Sequence, residues 1–301
     1  MNIMNMNPSL YDKTNRLQER DALSLVRIIQ EDQVKGLVPQ KLHLIIDVGC
    51  GPGNLTIRLN QWFSCQEVIG LDSSLEMIDY AVKNHSDKGT SFKTSDIGSS
   101  QEDFVEKILG SNKSLSDVVI SNHCLHWVPE EKKNQAMANI RNLLKPGGRC
   151  YHWIFSWCEI LPLEEHMLYL PNWNTYFKGK PVENLTGPFP TVKIPEEERI
   201  RSWKQRCQDL KFEKYEVVLK KLNFDFSNWD NFKVYIKILC HFSTFIPEEE
   251  QSAFLDDYYD HVNKNYILKK KAMGCEKLYS LDYECLLVMA SKPKHEDQRT
   301  H

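Results

Sequence analysis

A chain of 301 residues, 41% of them hydrophobic, is long enough to bury one large core with an elaborated cap. Its formal net charge of −3 provides no basic field, which disfavours a nucleic-acid substrate, whose backbone demands clustered Lys and Arg. Nine cysteines, odd in number and without a C-x-x-C pair, exclude a disulfide framework or zinc site and fit buried thiols in a reducing compartment.

The opening segment, Tyr11 to Asp21, leads into a helix through Ile29 with Leu17, Leu25, Val26 and Ile29 on its apolar face. The N-terminal residues 1–13, MNIMNMNPSLYDK, have no basic stretch followed by an apolar core, and no run of about eighteen apolar residues occurs anywhere, so neither an export signal nor a membrane span is predicted. The expected location is the cytoplasm. Residues 36–40 break the helix before the most informative stretch, residues 42–72, LHLIIDVGCGPGNLTIRLNQWFSCQEVIGLD. An apolar strand ends in Asp47 and three alternate glycines, Gly49, Gly51 and Gly53. A helix from Asn54 to Trp62 follows, then a second strand, Val68 to Leu71, that closes on Asp72. Glycines allow a sharp turn and a close ligand, and an acid at the next strand tip can accept both hydroxyls of a ribose, so a bound nucleoside is expected.

The turn is not the G-x-G-x-x-G of dinucleotide enzymes. A pyrophosphate gains nothing from a carboxylate at the strand end, whereas a cationic ligand does, so Asp47 favours a sulfonium or ammonium over NAD. With that acid-x-Gly-x-Gly-x-Gly motif the segment resembles the class I S-adenosylmethionine-dependent methyltransferases.

Ser73 to Glu76 reads as a capping box, opening a helix that continues to Asn84 with Leu75, Ile78 and Val82 inward. Thr90 to Thr94 reads as a third strand, Phe104 to Leu109 as a helix, and Ser116 to Ser121 as a strand buried on both faces. Pro129 opens a helix to Leu144, residues 145–148 end it, and Arg149 to Phe155 forms the fifth strand. These crossovers predict an α/β fold: a doubly wound, mostly parallel, seven-stranded, Rossmann-like sheet with ligands at the carboxyl ends of its strands. The expected division is a helical lid at 1–40, an S-adenosylmethionine-binding core at 41–155, and at 156–301 the remaining strands with an aromatic-rich helical cap, all within one compact domain. In that last part the pattern predicts helices at Glu196 to Leu210, around Phe232 to Leu239, and at Leu255 to Tyr266. Strands are predicted at Phe212 to Leu219 and Tyr283 to Ser291.

The cofactor residues expected are Asp47, Gly49 and Gly51 in the turn, Asp72 with Ser73 for the ribose, Asp96 with Ile97 for the adenine, and Asn122 for the methionine part. No metal ligand is assigned. More closely, the chain resembles the juvenile hormone acid O-methyltransferases of arthropods, and more distantly the trans-aconitate methyltransferases. The residues that carry this are Tyr11, Asn15, Leu17, Gln18, Arg20 and Asp21, the motif Asp47 to Gly53, and Cys124 to Val128. Asn122 and His123 depart from the aromatic or apolar residues usual there. The resemblance implies that Gln18 and Trp127 meet a substrate carboxylate. Chemistry agrees: a carboxylic acid is ionised at pH 7, so methylating it needs aligned neutral donors rather than a general base. A basic role for His126 is not expected. Trp153, Phe155, Trp157, Trp173, Phe224, Phe226, Trp229 and Tyr235 are candidates for lining an apolar pocket. The expectation is methylation of a small-molecule apolar carboxylic acid, farnesoic or juvenile hormone acid. The alternatives are a small polar acid such as trans-aconitate, a cofactor-binding protein without turnover, and, less well matched, a nicotinamide dehydrogenase.

Overall fold

Strands with no polar face must be covered on both sides, and the apolar runs of this chain meet that demand by pairing in parallel beneath helices. Leu44–Val48 (β1) is buried at every residue. The other strands are Glu67–Asp72 (β2), Thr90–Thr94 (β3), Ser116–Asn122 (β4), Leu144–Cys158 (β5), Glu213–Asp225 (β6) and Ser280–Ser291 (β7). The computed structural model, which describes residues 7–110, 114–189 and 192–295, arranges them in one sheet of order β3-β2-β1-β4-β5-β7-β6. The pairs β1–β2, β2–β3, β1–β4 and β4–β5 are parallel. Bonds from Gly147 N to Lys292 O and from Glu159 N to Asp282 O run in opposite senses along the two strands, so β7 lies antiparallel to β5. The strand order reverses between β1 and β4, the crevice where open parallel sheets bind ligands.

The chain divides into two compact units, one of residues up to Ile154, Glu196–Leu219 and Leu286 onward, the other of Phe155–Pro195 and Lys220–Cys285. In the first, helices Pro8–Thr14 (α1), Arg16–Val34 (α2), Thr56–Phe63 (α3), Leu75–His85 (α4), Phe104–Leu109 (α5), Lys133–Leu143 (α6) and Glu196–Asp209 (α7) cover the sheet. Ile46, Val119 and Cys150 of the sheet pack with Met137 and Ile140 of α6 and Trp203 of α7 in its main core. Tyr151 of β5 donates to Asp32 of α2 at 2.8 Å. In the second unit, Trp229–Leu239 (α8) and Gln251–Val262 (α9) surround a core of their own. Phe226 packs against Phe232 and Tyr235 at 5.3 and 5.2 Å between ring centres, and the Trp173 indole donates to Asp257 at 2.8 Å. Among the described residues, no helix is long and apolar enough to cross a membrane.

Strand β3 and helix α5 fall where the sequence predicts them. Helix α4 does not present the expected face. Its cap is Ser74, whose hydroxyl accepts from Met77 N at 3.3 Å, rather than Ser73. Leu75 and Val82 are 57% and 50% exposed, while Met77, Ile78 and Ala81 are buried. The cause is steric. A Cβ at Gly53 would lie 2.9 Å from that of Ala81, so α4 approaches the glycine turn on a small side chain that a search for large apolar residues passes over. Likewise α3 starts at Thr56 rather than Asn54, because Gly53, at φ +89°, still belongs to the turn.

Candidate active site

The carboxyl ends of β1, β2, β3 and β4, with α2 above them, enclose a cavity of about 560 Å³ within the first unit. Gln18, Trp127, Asp47, Gly49, Gly51, Asp72, Ser73, Asp96, Ile97 and Asn122 all line it. Residues from five separated segments of sequence are thus brought to one place.

Each acid reaches the cavity by a different local device. Asp47, next to last in β1, is buried, and Thr56 at the start of α3 donates to its Oδ2 at 2.7 Å. Burial pushes its carboxyl up to about 7, against the lowering effect of the Thr56 bond, and the nearby Asp72 adds to the rise. Asp72 ends β2; its Oδ2 accepts from Gly51 N and its Oδ1 from Ser74 N, both at 2.9 Å. Burial raises its carboxyl too, with these backbone donors opposing. Each carboxylate oxygen has two acceptor sites, so Asp72 keeps capacity for hydroxyl donors after these bonds are made. Asp96 follows β3 and accepts from Gly98 N at 2.8 Å, a turn of its own, and lies 3.4 Å from Lys132 Nζ. Ile97 beside it is buried.

The glycines of the turn answer to three different neighbours. Gly49 has φ +75°, and a Cβ there would collide with the Cys124 side chain; a Cβ at Gly53 would strike the Phe92 ring at 2.7 Å. Only Gly51, whose Cβ would lie 3.7 Å from Tyr11 as its nearest neighbour, leaves room on the cavity side.

Asn15, the N-cap of α2, and Gln18 and Ala22 on one face of that helix border the cavity. Asn122 Nδ2 donates to the Gln18 carbonyl at 2.9 Å, which fixes Asn122 Oδ1 as an acceptor; that oxygen and Gln18 Oε1 are buried without a partner. Trp127 sits in the single turn Leu125–Trp127 that follows β4. The neighbouring His126 is buried, and desolvation, with the charges of His123 and Lys133, holds its imidazole well below the usual histidine range. The Cys124 thiol is pushed up to about 12, by burial first and then by Asp72. Neither serves as an ionised group at neutral pH.

Among the lining residues that sequence reasoning did not assign to the site are four with charged or imidazole side chains, Glu19, Arg58, His123 and Lys132. Arg58 of α3 pairs with Glu19 of α2, Lys132 pairs with Asp96, and His123, at φ +52°, holds Asp21 of α2. A composition-level signal existed only for the last, in the unusual residue pair at 122–123. The candidate aromatics Phe155, Trp157, Trp173, Phe224, Phe226, Trp229 and Tyr235 belong to the second unit and are not among the residues lining this cavity, and Trp153, buried in the first unit, does not line it either.

A cavity with two carboxylates raised by burial and two unpartnered buried amide oxygens favours a ligand that brings positive charge and N–H or O–H donors. The sulfonium, ammonium and ribose of S-adenosylmethionine fit that donor and charge requirement. Residues 45–148 match the family model of a methyltransferase domain. The chain is 28% identical over 290 residues to juvenile hormone acid O-methyltransferase of Bombyx mori, covering 95% of this chain and 97% of that one. It is also 28% identical over 261 residues to the enzyme of that name from Drosophila melanogaster, covering 84% and 82%. In fold it is similar to a candidate methyltransferase of known structure from Bacillus halodurans C-125, with TM-score 0.50, 14% identity, and coverage of 89% and 98%. The chain is an S-adenosylmethionine-dependent methyltransferase, similar over most of its length to juvenile hormone acid O-methyltransferases.

Proposed function

We propose that this enzyme esterifies the carboxylate of an apolar sesquiterpenoid acid, farnesoic acid or juvenile hormone acid, to its methyl ester. The observation that carries the reading is the placement of Gln18 and Trp127 on the same cavity as Asp47, Asp72 and Asp96, so that carboxylate donors and cofactor acids share one space. The names of the two insect relatives support the substrate class. Bound S-adenosylmethionine supplies an electrophilic methyl group. Asp72 and Ser73 are proposed to take the ribose, Asp96 and Ile97 the adenine, and Asn122 the methionine part. Gln18 and Trp127 orient the acceptor oxygen with neutral N–H groups, which leaves its electrons available for transfer. The two long cations of the lining, Arg58 and Lys132, each face a carboxylate of the protein, which argues against a polyanionic acceptor such as trans-aconitate. The proposed protein is cytoplasmic.

The test is transfer from methyl-labelled cofactor to carboxylic acids graded by apolar length, from trans-aconitate to farnesoic and juvenile hormone acid. The expected result is a kcat/KM that rises with chain length to the sesquiterpenoids. A preference for trans-aconitate, or no transfer to any acid of the panel, overturns the reading.

A further inference from the structure

His123 follows the tip of β4 in the left-handed region, φ +52°, a conformation uncommon for residues with a Cβ, which His, Asn and Asp adopt more often than most and Gly adopts freely. Contacts of both its main chain and its ring hold it there. The His123 amide donates to the Trp153 carbonyl at 2.8 Å, continuing the β4–β5 ladder, and the ring Nε2 lies 2.7 Å from Asp21 Oδ2. Both side chains are buried, Asp21 to 1% exposure, and Arg20 engages the other Asp21 oxygen at 3.0 Å.

Asp21 is three residues beyond Gln18 on α2, hence on a neighbouring position of the same helical surface. One residue before His123, Asn122 donates to the Gln18 backbone carbonyl. Consecutive residues at one strand tip therefore grip α2 at two points, the main chain of Gln18 and the carboxylate one turn later. The pair spans 102 residues of sequence and ties α2 to the sheet at the rim of the cavity.

We infer that His123 and Asp21 form a positioning latch that sets the height and rotation of α2, and through it the placement of the Gln18 side chain in the cavity. This rests on the reading of Gln18 as a residue that meets the acceptor. His123 does not touch the reacting atoms in this scheme. Its ring reaches a carboxylate that Gly, which adopts that φ freely, cannot reach.

The variants His123→Gly, Asp21→Ala and Asp21→Asn test it in the full-length enzyme, each alone and combined with Gln18→Ala. Glycine at 123 relieves the backbone and removes only the ring, so loss of folding is not its expected effect. The expected result is that His123→Gly and Asp21→Ala lower kcat about tenfold while cofactor affinity by calorimetry stays within about twofold. Asp21→Asn, which keeps an acceptor oxygen, should retain most of the rate. In the Gln18→Ala background the same changes should cost little more, because the residue they position is gone. Amide exchange in α2 should rise around residues 18–22 in His123→Gly. Fully multiplicative losses with Gln18→Ala, or unchanged α2 exchange, overturn the latch. If the wild-type enzyme methylates no acid of the panel, the exchange measurement alone decides: faster α2 exchange supports the latch, and unchanged exchange refutes it, whatever becomes of the substrate.

Discussion

Thr56 at the first turn of α3 donates its hydroxyl to Asp47 at the end of β1, 2.7 Å across the glycine turn, and this is the bond that keeps a buried acid from rising further than about 7. The strand, the turn and the helix are thus coupled through one carboxylate. Its charge is costly in the protein alone and useful when a cation is bound.

The first prediction follows from that cost. Asp47 has a folded-state value raised above its unfolded 3.8, so the folded protein binds the extra proton. The penalty is absent below about pH 4, grows as pH rises, and is complete above about 7, reaching at most about 4 kcal/mol. Asp47→Asn should therefore raise the Tm of ligand-free protein more at pH 8 than at pH 5, while weakening S-adenosylmethionine binding. Thermal melts across that range check it; a gain confined to acid pH contradicts the assignment.

Asp72→Ala should weaken the cofactor and also lower the Tm, since the same carboxylate accepts from Gly51 N and Ser74 N. Charge-assisted bonds of this kind are worth about 1.5 to 3 kcal/mol apiece. Calorimetry should show at least a tenfold rise in Kd. An unchanged Kd with a lowered Tm would make Asp72 a turn and cap residue only.

At saturating cofactor and acceptor, turnover should be nearly flat between pH 6 and 8. The acceptor acid, with a pKa of about 4 to 5, is ionised throughout. Burial keeps the His126 imidazole neutral over the same range, so it contributes no step. Stopped-time assays with labelled cofactor measure this, and a sigmoidal rise abolished in His126→Ala would return that residue to a basic role.

Gln18→Ala should reduce turnover ten- to a hundredfold with cofactor Kd nearly unchanged, because the lost donor serves the acceptor and is worth about 1.5 to 3 kcal/mol. Paired kinetics and calorimetry separate the two effects. Equal loss in both would place Gln18 on the cofactor.

What the sequence made legible was local. Thr90–Thr94 and Phe104–Leu109 are bounded by turn residues and short apolar runs, and the acids at positions 47, 72 and 96 announce themselves by following strands. The inward face of α4 was not legible, because Ala81 carries no hydrophobic signal and its burial depends on a glycine 28 positions earlier that leaves it room. Nor was the contact of His123 with Asp21, which exists only after β4 and α2 have packed. For any single aromatic from Trp153 onward, composition favoured ordinary core over pocket. Phe232 and Tyr235, at 0% and 4% exposure, are core of their own unit.

The three alternate glycines have separate consequences for how this sequence can drift. At Gly49 the space belongs to Cys124, at Gly53 to Phe92 and Ala81, and at Gly51 to the open cavity. A side chain gained at 53 would need both Phe92 and Ala81 trimmed, and one at 49 would need Cys124 reduced to glycine, with a residual backbone penalty in each case. At 51 no second-site change in the protein restores the volume lost to the ligand. Selection therefore acts on one short motif through three unrelated bottlenecks, and only one of them is a direct demand of binding.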